Sequence, residues 1–237
     1  MERLKDYWGK NLFKPVTISA IMMGRQSRPF IVASKPILNV YDVLNAVSID
    51  DADFVELRVD YMDNPLEIDY SVLMNRKIIV TLREFSEGGA KPHDPETKIR
   101  LLNILKNLGI LYDVEISFIE KFGVEYNNAI VSMHFIGSKP DLDYVVERVL
   151  RYRDRAFIIK IVVEPFPGYR EFLVKILDLG NNIAAFPMSV DPLERIAYAL
   201  LGSRLVYGYI DVPTAKGQIH YKQLKRLIDS IFNYFNE

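Results

Sequence analysis

Lys160 interrupts Phe157-Ile-Ile-Lys-Ile-Val-Val163, an otherwise apolar run that reads as a parallel strand buried on both faces. Burial there favours the neutral amine, the form that attacks a carbonyl carbon to make an imine. An ion pair with an interior carboxylate such as Glu115 accounts for the same lysine equally well. His134 ends the run Ala129-Ile-Val-Ser-Met-His134 and shares a strand face with Ser132. Beside an imine-forming lysine, an imidazole serves as general acid and base near neutral pH. Standing alone, it would read as a hydrogen-bonded core residue. The other two histidines, His93 and His220, lie in a loop and at a helix start. No His-x-x-x-His or His-Glu-x-x-His spacing links the three, so no metal site is expected.

Glu56 and Arg58 are two apart on one run and face the same way, and Arg83 ends the next run. Interior ion pairing explains all three. They also suit a receptor for a small, polyhydroxylated carboxylic acid, because guanidinium forks match carboxylate geometry. Arg83 leads into Glu84-Phe-Ser-Glu-Gly-Gly-Ala-Lys-Pro-His-Asp94. The Gly88-Gly89 pair makes this either a lid carrying Glu87 over a site or a solvated loop with an incidental acid. Near the C-terminus, Arg195 follows the helix start Asp191-Pro192, and the last apolar run passes into Asp211-Val-Pro-Thr-Ala-Lys-Gly-Gln218. Arginine, hydroxyl and amide donors together there suit an anion.

Positioning such groups requires a repeated scaffold, and the β-branched runs supply one. They are Phe30–Ser34, Phe54–Arg58, Ile78–Arg83, Leu111–Glu115, Ala129–His134, Phe157–Val162, Ile183–Pro187 and Leu205–Ile210. Amphipathic segments alternate with them, the pattern of repeated βα units. Eight runs in 237 residues predict an α/β (β/α)₈ TIM barrel as one domain over 1–237, with chemistry at the C-terminal ends of the strands. A doubly wound sheet is the fallback. Asp94-Pro95 and Asp191-Pro192 read as helix starts, the second with Glu194 in a capping box. Leu142, Val145, Val146, Val149 and Leu150 mark one buried helix face, and Leu224, Leu227, Ile228, Ile231, Phe232 and Phe235 another. The N-terminal extension, with Pro15-Val-Thr-Ile-Ser-Ala-Ile-Met22, is expected to close the bottom of the barrel. No Gly-x-Gly-x-x-Gly follows a strand and no P-loop sequence occurs, so dinucleotide and nucleotide readings lack support.

Composition narrows the function classes further. With 49% hydrophobic and 26% charged residues the chain can bury a large core. A net charge of -1 supplies no bulk field for nucleic acid or an anionic membrane, so neither partner is expected. Without cysteine there is no thiolate nucleophile and no disulfide. The mixed-charge start Met1-Glu-Arg-Leu-Lys-Asp-Tyr7 lacks a secretory pattern, and a soluble cytoplasmic chain is expected.

In order and spacing, these segments resemble the type I 3-dehydroquinate dehydratases from about Pro29 to Ile219. The matching stretches are Glu56-Leu-Arg-Val-Asp60, Thr81-Leu-Arg83 with Glu87-Gly-Gly89, Val131-Ser-Met-His-Phe135, Ile159-Lys-Ile161, Phe186-Pro-Met188, Arg195 with Gly202-Ser203, and Thr214-Ala-Lys-Gly-Gln-Ile219. The resemblance implies a (β/α)₈ lyase, commonly homodimeric, that dehydrates 3-dehydroquinate to 3-dehydroshikimate in the shikimate pathway without metal or organic cofactor. It also implies roles: Lys160 forms the imine, His134 moves the protons and Glu87 orients His134. Glu56, Arg58 and Arg83 hold substrate hydroxyls, Arg195 and Gln218 grip the carboxylate, and Thr214 and Ser34 line the pocket. The sequence departs from the family pattern at Lys216, where proline is usual, and at Thr214, where serine is frequent. Phe135 directly follows His134, and Ser189-Val-Asp-Pro192 replaces a glycine-rich stretch. The altered Lys216 loop is expected to be more mobile in the free enzyme.

Two rival readings stay open at this point. Another lysine-imine barrel, such as a class I aldolase, would cleave a carbon–carbon bond. A non-catalytic barrel would bind a pathway intermediate without turning it over.

Overall fold

The computed structural model describes residues 28–234, and eight parallel strands dominate it. They are β1 (Phe30–Pro36), β2 (Phe54–Arg58), β3 (Ile78–Thr81), β4 (Leu111–Glu115), β5 (Ile130–Phe135), β6 (Ile158–Val163), β7 (Ile183–Pro187) and β8 (Leu205–Tyr209). The sheet runs β7-β6-β5-β4-β3-β2-β1-β8, so each strand neighbours its successor and β8 returns to β1. Between β7 and β8 the barrel is joined outside a regular ladder. Arg204 N–H donates to Ile183 O at 2.9 Å, Ala185 N–H donates to Ser203 Oγ at 3.2 Å, and the Ser203 hydroxyl passes on to Leu205 O at 3.1 Å. A buried serine thereby takes the place of missing ladder bonds, and the (β/α)₈ expectation holds.

Helices α1 (Val40–Val47), α2 (Pro95–Leu108), α3 (Ile116–Phe122), α4 (Leu142–Tyr152), α5 (Tyr169–Leu177), α6 (Pro192–Leu200) and α7 (Tyr221–Tyr234) follow the strands. The β2–β3 connection departs from the repeat, with 3₁₀ turns at Val59–Tyr61, Pro65–Glu67 and Tyr70–Leu73. Asn64 and Asp69 explain this locally. Their side chains accept the N–H two residues on, a geometry that competes with α-helix. Asp94 caps α2 through Thr97 N–H, and Asp191 caps α6 through Leu193 N–H. The expected capping box at Asp191 does not form, because Glu194 turns to the Tyr169 hydroxyl and Arg170 instead.

Core packing follows the apolar stripes. Val145, Val146 and Val149 of α4 are buried against the barrel, with Leu142 and Leu150 packed at the margin. On α7, Leu224 and Ile228 are buried, whereas Leu227 lies outside the stripe and is 40% exposed. Phe235 and the expected bottom-closing extension lie outside the described residues. Phe30, Phe54 and Phe157, at or beside the strand starts, pack ring to ring within 5.4 to 6.1 Å. Aromatic packing fills that end of the barrel, and the polar interior residues gather toward the other. None of the described helices is long and apolar enough to cross a membrane.

Candidate active site

Strand register gathers the interior polar residues. Thr81 of β3 pairs with Asp113 of β4, Glu115 of β4 with Ser132 of β5, and Ser132 with Lys160 of β6. Lys160 is 4% exposed, and its Nζ lies 2.5 Å from Asp113 Oδ2. The lysine's counter-ion is therefore Asp113. Glu115, the sequence-level candidate, pairs with Arg83 at 2.7 Å and with Lys98 of α2. Arg83 also reaches Asp113 at 2.8 Å and donates to Ser132 Oγ at 2.7 Å, while Ser132 donates to Asp113 Oδ1. Burial pushes the Lys160 ammonium below its usual range; Asp113 opposes this, and Arg83 adds to the fall. For Asp113, burial works the other way, yet Arg83 and Lys160 hold its carboxyl well below the usual carboxylate range.

His134 enters the same cavity from β5. Its backbone N–H donates to Glu87 Oε2 at 2.8 Å, and its Nδ1 faces the same oxygen at 3.2 Å. Ser117 Oγ, at the start of α3, donates to Glu87 Oε1 at 2.8 Å. Burial and the charge of Glu115 push the Glu87 carboxyl up to about 7, against the pull of Arg83 and the two hydrogen bonds. Burial, helped by Arg83 and Lys160, drives His134 well below 6.5, so its imidazole is neutral at physiological pH.

Glu87 arrives on a pinned turn rather than a free lid. Glu84 N–H donates to Glu115, and Glu84's own carboxylate takes Lys98 at 2.8 Å. Ala90 N–H donates to Asp60 at 2.8 Å, and Arg58 reaches Gly88 O at 3.4 Å. Both glycines have a local reason here. Gly88 is left-handed, with φ at 87°, and a Cβ on Gly89 would lie 2.3 Å from Arg83 O. A left-handed backbone requires the first glycine and close approach the second.

Around this centre the structure brings the expected ligands together. Glu56, Arg58, Arg83, Arg195, Thr214 and Gln218 all line the cavity. Ion pairing and cavity lining coexist in the first three. Arg58 grips Asp60 through two 2.7 Å bonds, and Glu56 accepts the hydroxyls of Ser34 and Thr81. Ser34 is fully buried behind Glu56 and Thr214, 2.9 Å from the Thr214 hydroxyl, and stands outside the cavity lining. Gln218 folds onto its own loop, its Oε1 accepting the N–H groups of Thr214 and Ala215. The Lys216 loop is tied down by its carbonyl, which accepts from Arg195 Nη1 and Ser189 N–H, both at 3.2 Å. Arg195 stacks over Phe186 and has no carboxylate partner among the described residues, so burial lowers its guanidinium to about 10. A buried cation so placed has the capacity to take an anion.

Sequence reasoning missed Asp113, Asp60, Ser117 and Lys98. Asp113 was legible in principle, since Asp113 and Glu115 stand two apart on a buried strand, like Glu56 and Arg58. Among the described residues no group of three or more His, Asp and Glu is arranged to hold a metal ion.

The type I 3-dehydroquinase family matches residues 31–167. A 3-dehydroquinate dehydratase from Saccharolobus solfataricus is 42% identical over 216 residues, covering 89% of this chain and 96% of that protein. The chain belongs to the type I 3-dehydroquinase family. A second 3-dehydroquinate dehydratase, from Metallosphaera sedula, is 44% identical over 207 residues, covering 87% of this chain and all (100%) of that protein. Among solved structures, the 3-dehydroquinate dehydratase of Geobacillus kaustophilus superposes with a TM-score of 0.66 at 22% identity, covering 89% of this chain and 93% of that one. At that identity the likeness speaks for the barrel alone. As a type I 3-dehydroquinase, the chain is an enzyme with lyase activity.

Proposed function

We propose that the chain dehydrates 3-dehydroquinate to 3-dehydroshikimate through an imine on Lys160. One observation carries the reading: a buried lysine of lowered basicity shares a cavity with the Glu87–His134 pair. The neutral amine attacks the ring ketone, and the carbinolamine loses water to give a protonated imine. Glu87 accepts a hydrogen bond from His134 Nδ1–H, which leaves the Nε2 lone pair free to act as base. His134 removes the C2 proton, and the imine takes up the electron pair as an enamine. Return of that pair expels the C1 hydroxyl, which leaves as water with the proton from His134. Hydrolysis of the conjugated imine frees the product and Lys160, so the net change is loss of one water.

The remaining lining groups take the ring substituents. Arg58, Glu56 and Arg83 hold the hydroxyls, and Arg195 and Gln218 hold the carboxylate. Thr214, backed by Ser34, closes the wall between them.

Borohydride reduction in the presence of 3-dehydroquinate, followed by peptide mass spectrometry, tests the reading. A reduced adduct on Lys160, accompanied by product release in its absence of borohydride, is the expected result, and Lys160→Ala abolishes both. Turnover without an adduct, or near-normal turnover by Lys160→Ala, would overturn it.

A further inference from the structure

Tyr207 of β8 is 7% exposed and lines the cavity between two residues already described. Lys160 Nζ lies 5.1 Å from the centre of its ring. Its ring also lies 5.7 Å from Phe186, the ring over which Arg195 stacks. Its hydroxyl is buried and has no hydrogen-bond partner among the described residues. Three other buried tyrosines behave differently. Tyr70 donates to Pro65 O, and Tyr112 donates to Glu125 O, both at 2.8 Å, while Tyr221 donates to Asp51 at 2.9 Å.

A buried hydroxyl left unpaired costs stability, and phenylalanine would fill the same volume without that cost. Tyr207 lines the cavity beside Lys160 and Arg195, which indicates where the missing partner comes from. Burial, reinforced by Glu56 and Asp113, also raises the phenol well above 10 and keeps it an O–H donor. Ligand oxygens, rich in lone pairs and partly anionic, are what a neutral phenol and a neighbouring guanidinium together receive.

We infer that Tyr207 is a substrate-contacting residue, its hydroxyl donating a hydrogen bond to an oxygen of the ring acid bound between Lys160 and Arg195. The inference rests on the dehydratase reading above and adds a binding group to it. It places an interaction with substrate, rather than with protein, at the one position on β8 where an aromatic ring flanks the lysine.

Tyr207→Phe tests it by two measurements on the full chain: thermal unfolding without ligand, and steady-state kinetics with 3-dehydroquinate. The expected result is a melting temperature at or above that of the wild type. With it comes a fall of about tenfold in kcat/KM, carried mainly by KM, as for loss of one hydrogen bond to substrate. An unchanged kcat/KM overturns the inference. So does a kinetic loss accompanied by a lower melting temperature of the free protein, which would mark the hydroxyl as structural. Failure of the wild-type chain to convert 3-dehydroquinate defeats the dehydratase reading and this inference with it, whereas conversion unaffected by Tyr207→Phe defeats the inference alone.

Discussion

Glu87 Oε2 accepts the backbone N–H of His134 at 2.8 Å while facing Nδ1 of the same residue at 3.2 Å. One carboxylate oxygen thus fixes both the strand end that carries the imidazole and the rotation of the imidazole itself. The arrangement orients the imidazole without surrounding Glu87 with cations, which is why burial and Glu115 prevail and its carboxyl titrates at about 7.

That raised carboxyl makes a stability prediction with a definite sign. In the folded chain Glu87 holds its proton up to about 7, against 4.5 ordinarily, so the folded form binds the proton more tightly than the unfolded one. Stability is therefore lost as pH rises from about 4.5 to about 7, and the full cost is present above that window. Glu87→Gln is expected to be more stable than the wild type at pH 8, by on the order of 1 kcal/mol or more, and to lose that advantage near pH 4.5. Urea denaturation at the two pH values checks it. Turnover should fall by about tenfold or more, because His134 loses its anionic partner.

Asp113→Asn should uncouple stability from amine reactivity. Asp113 favours the charged form of Lys160, so its removal lowers the lysine further and shifts borohydride trapping to lower pH. The same change leaves Arg83 with Glu115 as its sole close acid in this network and costs roughly 3 kcal/mol or more of folding stability. Denaturant midpoints and a pH series of adduct yield measure the two effects separately. An upward shift of the trapping pH would contradict the assigned role of Asp113.

Much of this site was readable in the sequence because a parallel strand buried on both faces makes each polar residue conspicuous. Lys160, Glu56, Arg58 and His134 stood out for that reason. What stayed hidden was pairing across strands. Glu115 and Asp113 are equivalent candidates by alternation, and strand register aligns Glu115, not Asp113, with Ser132 and Lys160; only the side-chain geometry, with Lys160 Nζ 2.5 Å from Asp113 Oδ2, separates them. Lys98 was hidden more deeply, since a lysine in Pro-Glu-Thr-Lys-Ile99 reads as a solvated helix residue. Yet it is 1% exposed and anchors Glu115 and Glu84. The Gly88-Gly89 pair suggested motion because glycine permits both flexibility and close contact, and sequence does not distinguish the two.

Arg195→Met should trade substrate grip for stability. Burial without an acidic partner lowers the guanidinium well below its ordinary range, to about 10, a cost on the order of 3 kcal/mol that is present throughout the pH range below about 10. Methionine fills much of the volume against Phe186 without the charge. The free variant is expected to melt at or above the wild-type temperature, with kcat/KM reduced by about a hundredfold or more through loss of the carboxylate contact. Thermal scans and steady-state kinetics report both; a destabilised variant with intact kcat/KM would place Arg195 in the scaffold instead.

Asp60 holds two parts of the site at once. It fixes Arg58 through two bonds and accepts Ala90 N–H from the segment that follows Glu87, while itself being fully buried. Asp60→Asn keeps the shape but loses the charge facing Arg58, so both the arginine and the Glu87 turn should shift. Misplacement on the scale of 1 Å costs about a hundredfold in rate, and the loss is expected in kcat as well as KM. Gly89→Ala reaches the same turn by another route, since its Cβ would meet Arg83 O at 2.3 Å and force the segment outward. It leaves both charges of the Asp60–Arg58 pair in place, so its loss should fall mainly on kcat. Hydrogen exchange over residues 84–90 gives a readout independent of chemistry: both variants should exchange faster there than the wild type. Unchanged exchange in both would mean that the turn is held by contacts other than these.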